Sequence, residues 1–194
     1  MDVVRAAFDA VRREEFLPPR ARHRAADDSP VLIGHGQTNS QPRTVDAMLR
    51  LLDVQPGHRV LDVGAGSGWT TALLAHLVGA HGSVHGVELV PQLAEWGAGN
   101  LARTGVAHAD LVRAREGVLG DPDRSPYDRI LVSAEADEIP GQLLDQLGDP
   151  GRIVLPVNGV MTCVERRGGH DHVTVHGHYR FVPLVTGPGD WHGG

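Results

Sequence analysis

A glycine loop set between two apolar strands constrains this chain more than any other feature. Residues 60–68 read Val-Leu-Asp-Val-Gly-Ala-Gly-Ser-Gly, and Glu88 follows twenty residues after Gly68. Residues 60–63 are a short apolar run, suited to a strand buried on both faces. Gly64, Gly66 and Gly68 permit a tight turn and a close approach of backbone to ligand. Helical spacing resumes over residues 69–78, and residues 83–88 read as the next strand. In such a strand–helix–strand unit the closing carboxylate lies beside the glycine loop. There it can accept both hydroxyls of a ribose.

The spacing bears on which nucleoside fits. A dinucleotide loop wants its third glycine one residue later than Gly68. Asp62 at the strand end would repel a pyrophosphate but suits a cationic amino-acid ligand, and S-adenosylmethionine is that kind of nucleoside. A loop that merely turns the chain is the plainer alternative. An NAD-dependent oxidoreductase is the other enzyme reading, disfavoured by the spacing and by the lack of a hydride-site constellation.

At 194 residues the chain is long enough for one core, and a single domain is expected over 1–194. Within it, residues 1–55 read as a helical, substrate-side segment and 56–158 as a cofactor-binding βα core. Residues 159–185 read as a hairpin and 186–194 as a flexible tail. Net charge is −6 with histidine neutral, and all eighteen basic residues are arginine, which argues against broad binding to nucleic-acid backbones. No segment has the apolar length of a membrane span, and the N-terminus lacks the pattern of a signal peptide. With one cysteine, Cys163, set in an apolar run, a disulfide framework is excluded; a cytoplasmic monomer is expected. His170, His172, His176 and His178 nearly alternate, which suits a solvated strand face better than a metal site.

Along the chain, Val3, Val4, Ala7, Phe8 and Val11 predict a helix over 2–14. Residues 20–38 read as irregular apart from Val31, Leu32 and Ile33. Ser40 is placed to cap a second helix, with Pro42 in its first turn and Val45, Met48, Leu49 and Leu52 on one stripe. Pro91 opens another helix, which Gly97 and Gly99 weaken. Strands are predicted at 110–114, 127–133 and 151–156, with a helix from Pro140 through Leu147. Residues 160–166 and 171–179 form a hairpin around Gly168 and Gly169. The alternation gives an α/β fold, a doubly wound and mostly parallel Rossmann-like sheet with an antiparallel C-terminal hairpin.

Several blocks resemble one family. Gly36-Gln-Thr-Asn-Ser-Gln-Pro42 is similar to the Gly-x-x-Ile-Ser-x-Pro block of protein-L-isoaspartate O-methyltransferases. The glycine loop with Trp69, Gly86-Val-Glu-Leu-Val-Pro91, residues 126–134, Glu138-Ile-Pro140 and Gly151-Arg-Ile-Val-Leu-Pro156 follow in that family's order. Phe181-Val-Pro-Leu184 resembles its closing strand. The resemblance runs over residues 12–185 and implies transfer of a methyl group from S-adenosylmethionine to the α-carboxylate of isoaspartyl residues in peptides or proteins. By the same likeness, Ser40 holds the substrate carboxylate. Glu88 with Leu89 holds the ribose, Asp62, Gly64, Ala65, Gly66 and Gly68 the amino-acid part, and Glu116 with Gly117 the adenine.

Departures from the pattern fall near the substrate. Asn39 replaces an apolar residue, Arg43 follows the proline where an aromatic or histidine is usual, and Glu135 replaces a small apolar residue. Thr38, Asn39, Arg43, Ser133, Ala134 and Glu135 are therefore the candidates for lining the substrate cleft. These departures admit a relative dedicated to one biosynthetic peptide, methylating an aspartate side chain. From another class, a non-catalytic module that keeps the cofactor fold is the remaining alternative.

Overall fold

The computed structural model describes residues 2–185, so the segment 186–194 expected as a tail lies outside the described residues. The chain opens with α1 (Val3–Ala10), followed by two 3-10 turns at Arg13–Phe16 and Pro19–Arg24. A small hairpin, β1 (Val31–Gly34) and β2 (Gln37–Asn39), leads into α2 (Pro42–Leu52). Then come β3 (Arg59–Val63), α3 (Trp69–Val78), β4 (Ser83–Glu88), α4 (Pro91–Ala102), β5 (Ala109–Arg113) and β6 (Tyr127–Val132). The remainder is α5 (Gly141–Leu144), β7 (Leu147–Val157), β8 (Val160–Arg167) and β9 (His170–His178).

The main sheet has the order β5-β4-β3-β6-β7-β8-β9. β5 through β7 are parallel, and β8 and β9 add antiparallel. This is the doubly wound sheet with an antiparallel edge that the strand–helix alternation implies. From β3 the chain builds outward first through β4 and β5, then crosses back to β6 and β7. That reversal leaves a crevice at the carboxyl ends of the central strands. The central strands are apolar on both faces because both are covered. Leu61, Ile130, Leu131 and Val132 are fully buried, with Leu73 and Leu74 of α3 on one side and Leu143 on the other. Each such side chain contributes about 2 kcal/mol of burial. Among the described residues no helix is long and apolar enough to cross a membrane.

Four local expectations are corrected. The first helix ends at Ala10, and the 3-10 turn after it carries Arg13 and Phe16 inward. Burying Phe16 gains ~2 kcal/mol, more than another exposed helical hydrogen bond returns. Val31, Leu32 and Gly34 pair with Asn39, Thr38 and Gln37, so the irregular region contains a hairpin with Val31 and Ile33 buried. The helix after Pro140 is one turn, because Leu147 pairs with Tyr127 in the sheet. Gln146 spends its amide on Leu119, Asp121 and Gln142. The closing strand at 181–184 is an extended strap with one bridge, Glu135 to Pro183, and Pro183 has no N–H to extend a ladder. Cys163 is buried, and β9 holds its four histidines at the exposed sheet edge.

Candidate cofactor and substrate cleft

At the carboxyl ends of the central strands lies a cleft of about 930 Å³, including the part open to solvent. Its floor is the loop after β3, its sides are the tips of β4 and β6 and the β1–β2 hairpin, and residues 182–185 strap across it.

The loop geometry follows from its glycines. Gly64, Gly66 and Gly68 all have positive φ, a region costly for residues with a Cβ. The N–H groups of Gly64 and Ala65 both donate to the carbonyl of Val87, which ties the loop to the tip of β4. Gly97 explains why α4 tolerates a glycine in mid-helix. A Cβ there would lie 2.5 Å from the carbonyl oxygen of Gly66. The helix thus packs directly on the loop.

Glu88 ends β4 and is 7% exposed. One carboxylate oxygen accepts from the Gly66 N–H at 2.9 Å and the other from the Val90 N–H at 2.9 Å. Burial holds its pKa above the ordinary carboxylate value, against the opposing pull of these N–H donors. Each oxygen keeps acceptor capacity, and Glu88 lines the cleft with Leu89 and Val90. A buried carboxylate with no cationic partner among the described residues, at the tip of the second strand, suits a ligand bearing vicinal hydroxyls.

Asp62 is fully buried beneath the loop and does not line the cleft wall. Its Oδ2 accepts from the Thr70 and Thr71 hydroxyls, each at 2.7 Å. Its Oδ1 is buried without a hydrogen-bond partner among the described residues. Burial pushes its pKa up to about 6, with the two threonine hydroxyls opposing and Glu88 adding to the rise. Asp62 therefore anchors the loop to α3 and also places negative charge under it. The glycine cradle, Glu88 and the unpartnered Asp62 oxygen together fit a nucleoside carrying a cationic amino-acid chain.

Ser40 lines the same cleft, as do Thr38 and Asn39. The expectation that Ser40 caps α2 is corrected. The N-cap is Gln41, without a side-chain cap bond, and Asp28 accepts from the Arg43 N–H at 3.0 Å instead. The Ser40 hydroxyl makes no hydrogen bond among the described residues. Ser133 and Ala134 follow β6 and line the cleft too.

The remaining candidates are not brought to it. Gly68 lies behind the loop, with its N–H on the Ala65 carbonyl. Glu116 is exposed and pairs with Arg113 at 2.9 Å, and Gly117 makes a turn beside it; neither lines the cleft. Arg43 has an exposed side chain paired with Asp28 at 3.5 Å. Glu135 contributes backbone: its N–H donates to Val182 and its carbonyl accepts from Leu184, which holds the strap.

Other lining residues escape a reading of the sequence. Val118, Leu119 and Gly120 approach from the loop after β5, where Gln142 and Gln146 fix Leu119 and Asp121. Ser67, Thr70 and the strap also line the cleft. Ser67 stands inside the glycine motif, and the strap inside Phe181-Val-Pro-Leu184, so both had a signal. Arg13 had none, standing in an ordinary polar run. It is 6% exposed and stacks on Trp69, its Cζ 5.3 Å from the ring centroid. Burial lowers its pKa to about 10.

A family model for protein-L-isoaspartate(D-aspartate) O-methyltransferases matches residues 1–189. The protein-L-isoaspartate O-methyltransferase of Methanocella arvoryzae is 44% identical over 181 residues, covering 92% of this chain and 96% of that one. The enzyme of that name from Staphylothermus marinus is 43% identical over 194 residues, covering 95% and 86%. A solved structure described as a protein-L-isoaspartate O-methyltransferase matches with a TM-score of 0.85 at 27% identity; the match covers 96% of this chain and 63% of that longer one. A Plasmodium falciparum structure with the same description, in complex with S-adenosyl-L-homocysteine, has a TM-score of 0.83 at 25% identity and covers 96% and 91%. This chain belongs to the protein-L-isoaspartate O-methyltransferase family.

Proposed function

We propose that the chain methylates the free α-carboxylate of L-isoaspartyl residues in peptides and proteins. The observation that carries the reading is a hydroxyl without a partner among the described residues, Ser40, lining the same cleft as Glu88 and the glycine loop. The cofactor is S-adenosylmethionine, which supplies an electrophilic methyl group on a sulfonium. Glu88 would accept the ribose hydroxyls, and the backbone of Gly64, Ala65 and Gly66 would pass along the amino-acid chain. Asp62 beneath them offsets its positive charge. Leu89, Val90 and Leu119 offer apolar surface to the base.

The substrate needs no general base. A carboxylate with an ordinary pKa is already ionised at neutral pH. What remains is orientation and exclusion of water, worth several orders of magnitude in rate when the reacting atoms are held in line. The Ser40 O–H donates to one carboxylate oxygen and aims the other. Residues 182–185 shield the cleft. The product ester is a better leaving group than the acid, so the next backbone nitrogen closes a succinimide unaided. Its hydrolysis returns part of the chain to normal aspartate.

Arg43 and Glu135 would be the means of restricting the enzyme to one peptide, and neither is among the residues that line the cleft. This favours a general isoaspartyl substrate. The test is mass spectrometry of an isoaspartyl peptide and its normal aspartyl counterpart, each incubated with the chain and S-adenosylmethionine. The isoaspartyl peptide gains one base-labile methyl group and the counterpart gains none. Equal methylation of both, or methylation of the counterpart alone, overturns the reading.

A further inference from the structure

Two arginine–asparagine pairs converge on Ser67, between the second and third loop glycines. A guanidinium only donates, so each arginine decides which end of its asparagine faces it. Arg13 Nε donates to Asn39 Oδ1 at 2.7 Å, which leaves Asn39 Nδ2 to donate to Ser67 Oγ at 3.1 Å. Arg103 donates to Asn100 Oδ1 at 2.6 Å, and Asn100 Nδ2 donates to the Ser67 carbonyl at 2.9 Å. The second pair lies in the cofactor half, though Arg103 also reaches the Glu15 carbonyl at 3.4 Å. The first crosses the cleft wall, because Asn39 ends the hairpin that bears Ser40.

Arg13 also donates to the carbonyls of Asn39 at 3.3 Å and Ser40 at 2.9 Å. Its Nη1 reaches the carbonyls of Ala25 and Asp27, and Nη2 also lies 2.9 Å from the Ser29 carbonyl. One buried cation therefore fixes the two peptide planes that flank the Ser40 α-carbon. Asn39 and Ser67 are 4% and 3% exposed, so water does not compete for their contact. An apolar residue at 39 would leave the hairpin and the loop joined by packing alone.

We infer that the Arg13–Asn39–Ser67 chain is a clasp that couples the cofactor loop to the substrate wall, with Asn39 a positioning residue for methyl transfer. The inference rests on the proposed function. A ligand that orders residues 64–68 then also orders residues 39 and 40, and by reciprocity the peptide tightens the cofactor.

The test compares the wild-type chain with Ser67→Ala and Asn39→Val. Calorimetry gives the affinity of S-adenosylhomocysteine alone and of an isoaspartyl peptide with and without it; kinetics give kcat and KM. In the wild type, S-adenosylhomocysteine strengthens peptide binding about 10-fold, within the usual range for coupled sites. In each variant that factor falls towards one and kcat drops about 10-fold, while S-adenosylhomocysteine alone binds within about threefold of wild type. The double variant is no worse than the worse single one, because both changes remove the same contact. Ser67→Ala removes one hydroxyl and is the variant that keeps the test open if Asn39→Val fails to fold. Unchanged coupling in a folded variant refutes the clasp. So does a collapse of S-adenosylhomocysteine binding alone, which would make the contact a prop for the loop. A wild-type chain that methylates no isoaspartyl peptide refutes the proposed function instead, and the two failures are told apart by that control.

Discussion

Glu88 and Arg43 both qualify as site candidates from the sequence, yet they occupy opposite physical settings. Glu88 is buried, bonded to two backbone N–H groups and set at the end of a strand paired on both sides. Arg43 has a side chain 80% exposed on the outer turn of a helix, where it pairs with another exposed residue. The same contrast separates the glycine loop from the outer rim at Glu116. The inner wall is rigid because its polar groups answer to backbone atoms that the sheet has already fixed. The rim is held by side chains that water can replace at little cost. Chemistry that needs placement to within an ångström belongs on the inner wall.

That contrast can be broken, most severely at Glu88. Glu88→Ala leaves two buried N–H groups unpaired and removes the ribose acceptor. Calorimetry should show S-adenosylhomocysteine binding weakened at least about 100-fold. Next comes Ser40→Ala, which should lower kcat about 30- to 100-fold, the range for one transition-state donor. Its melting temperature should stay unchanged, since among the described residues the hydroxyl neither caps α2 nor bonds elsewhere. Gly97→Ala pushes a methyl group against the Gly66 carbonyl and should cost ~2 kcal/mol in denaturant unfolding, with weaker cofactor binding.

Asp62 sharpens the comparison through pH. Its folded pKa near 6 lies above the ordinary 3.8. Between those values the folded chain keeps a proton that the unfolded chain has released. The stability contributed by the protonated form is full below about pH 4 and is lost as pH rises through about 6, by ~3 kcal/mol. Asp62→Asn should flatten that part of the unfolding profile. The smallest effect belongs to the rim. Arg43→Ala should change kcat/KM for an isoaspartyl peptide less than about twofold.

How much of this was legible in the sequence follows the same division. The glycine loop and Glu88 were readable because backbone conformation and strand ends leave a local signature. The parallel core was readable because strands buried on both faces are apolar throughout. The β1–β2 hairpin was not, since Gln37, Thr38 and Asn39 have no alternating apolar pattern. Its burial depends on the distant Arg13. Arg13 itself reads as one charge among neighbours, and only tertiary packing reveals the carbonyls that hold it. Gln146 hid for the converse reason, an amide spent on loop 119–121 in place of a longer helix.

The most direct measurement is a crystal structure of the chain with S-adenosylhomocysteine. The account predicts both ribose hydroxyls on the Glu88 carboxylate, the amino-acid chain along residues 64–66, and the sulfur on the side facing Ser40. A ligand with its ribose away from Glu88, or a cleft closed by residues 182–185 with the nucleoside bound elsewhere, would contradict it.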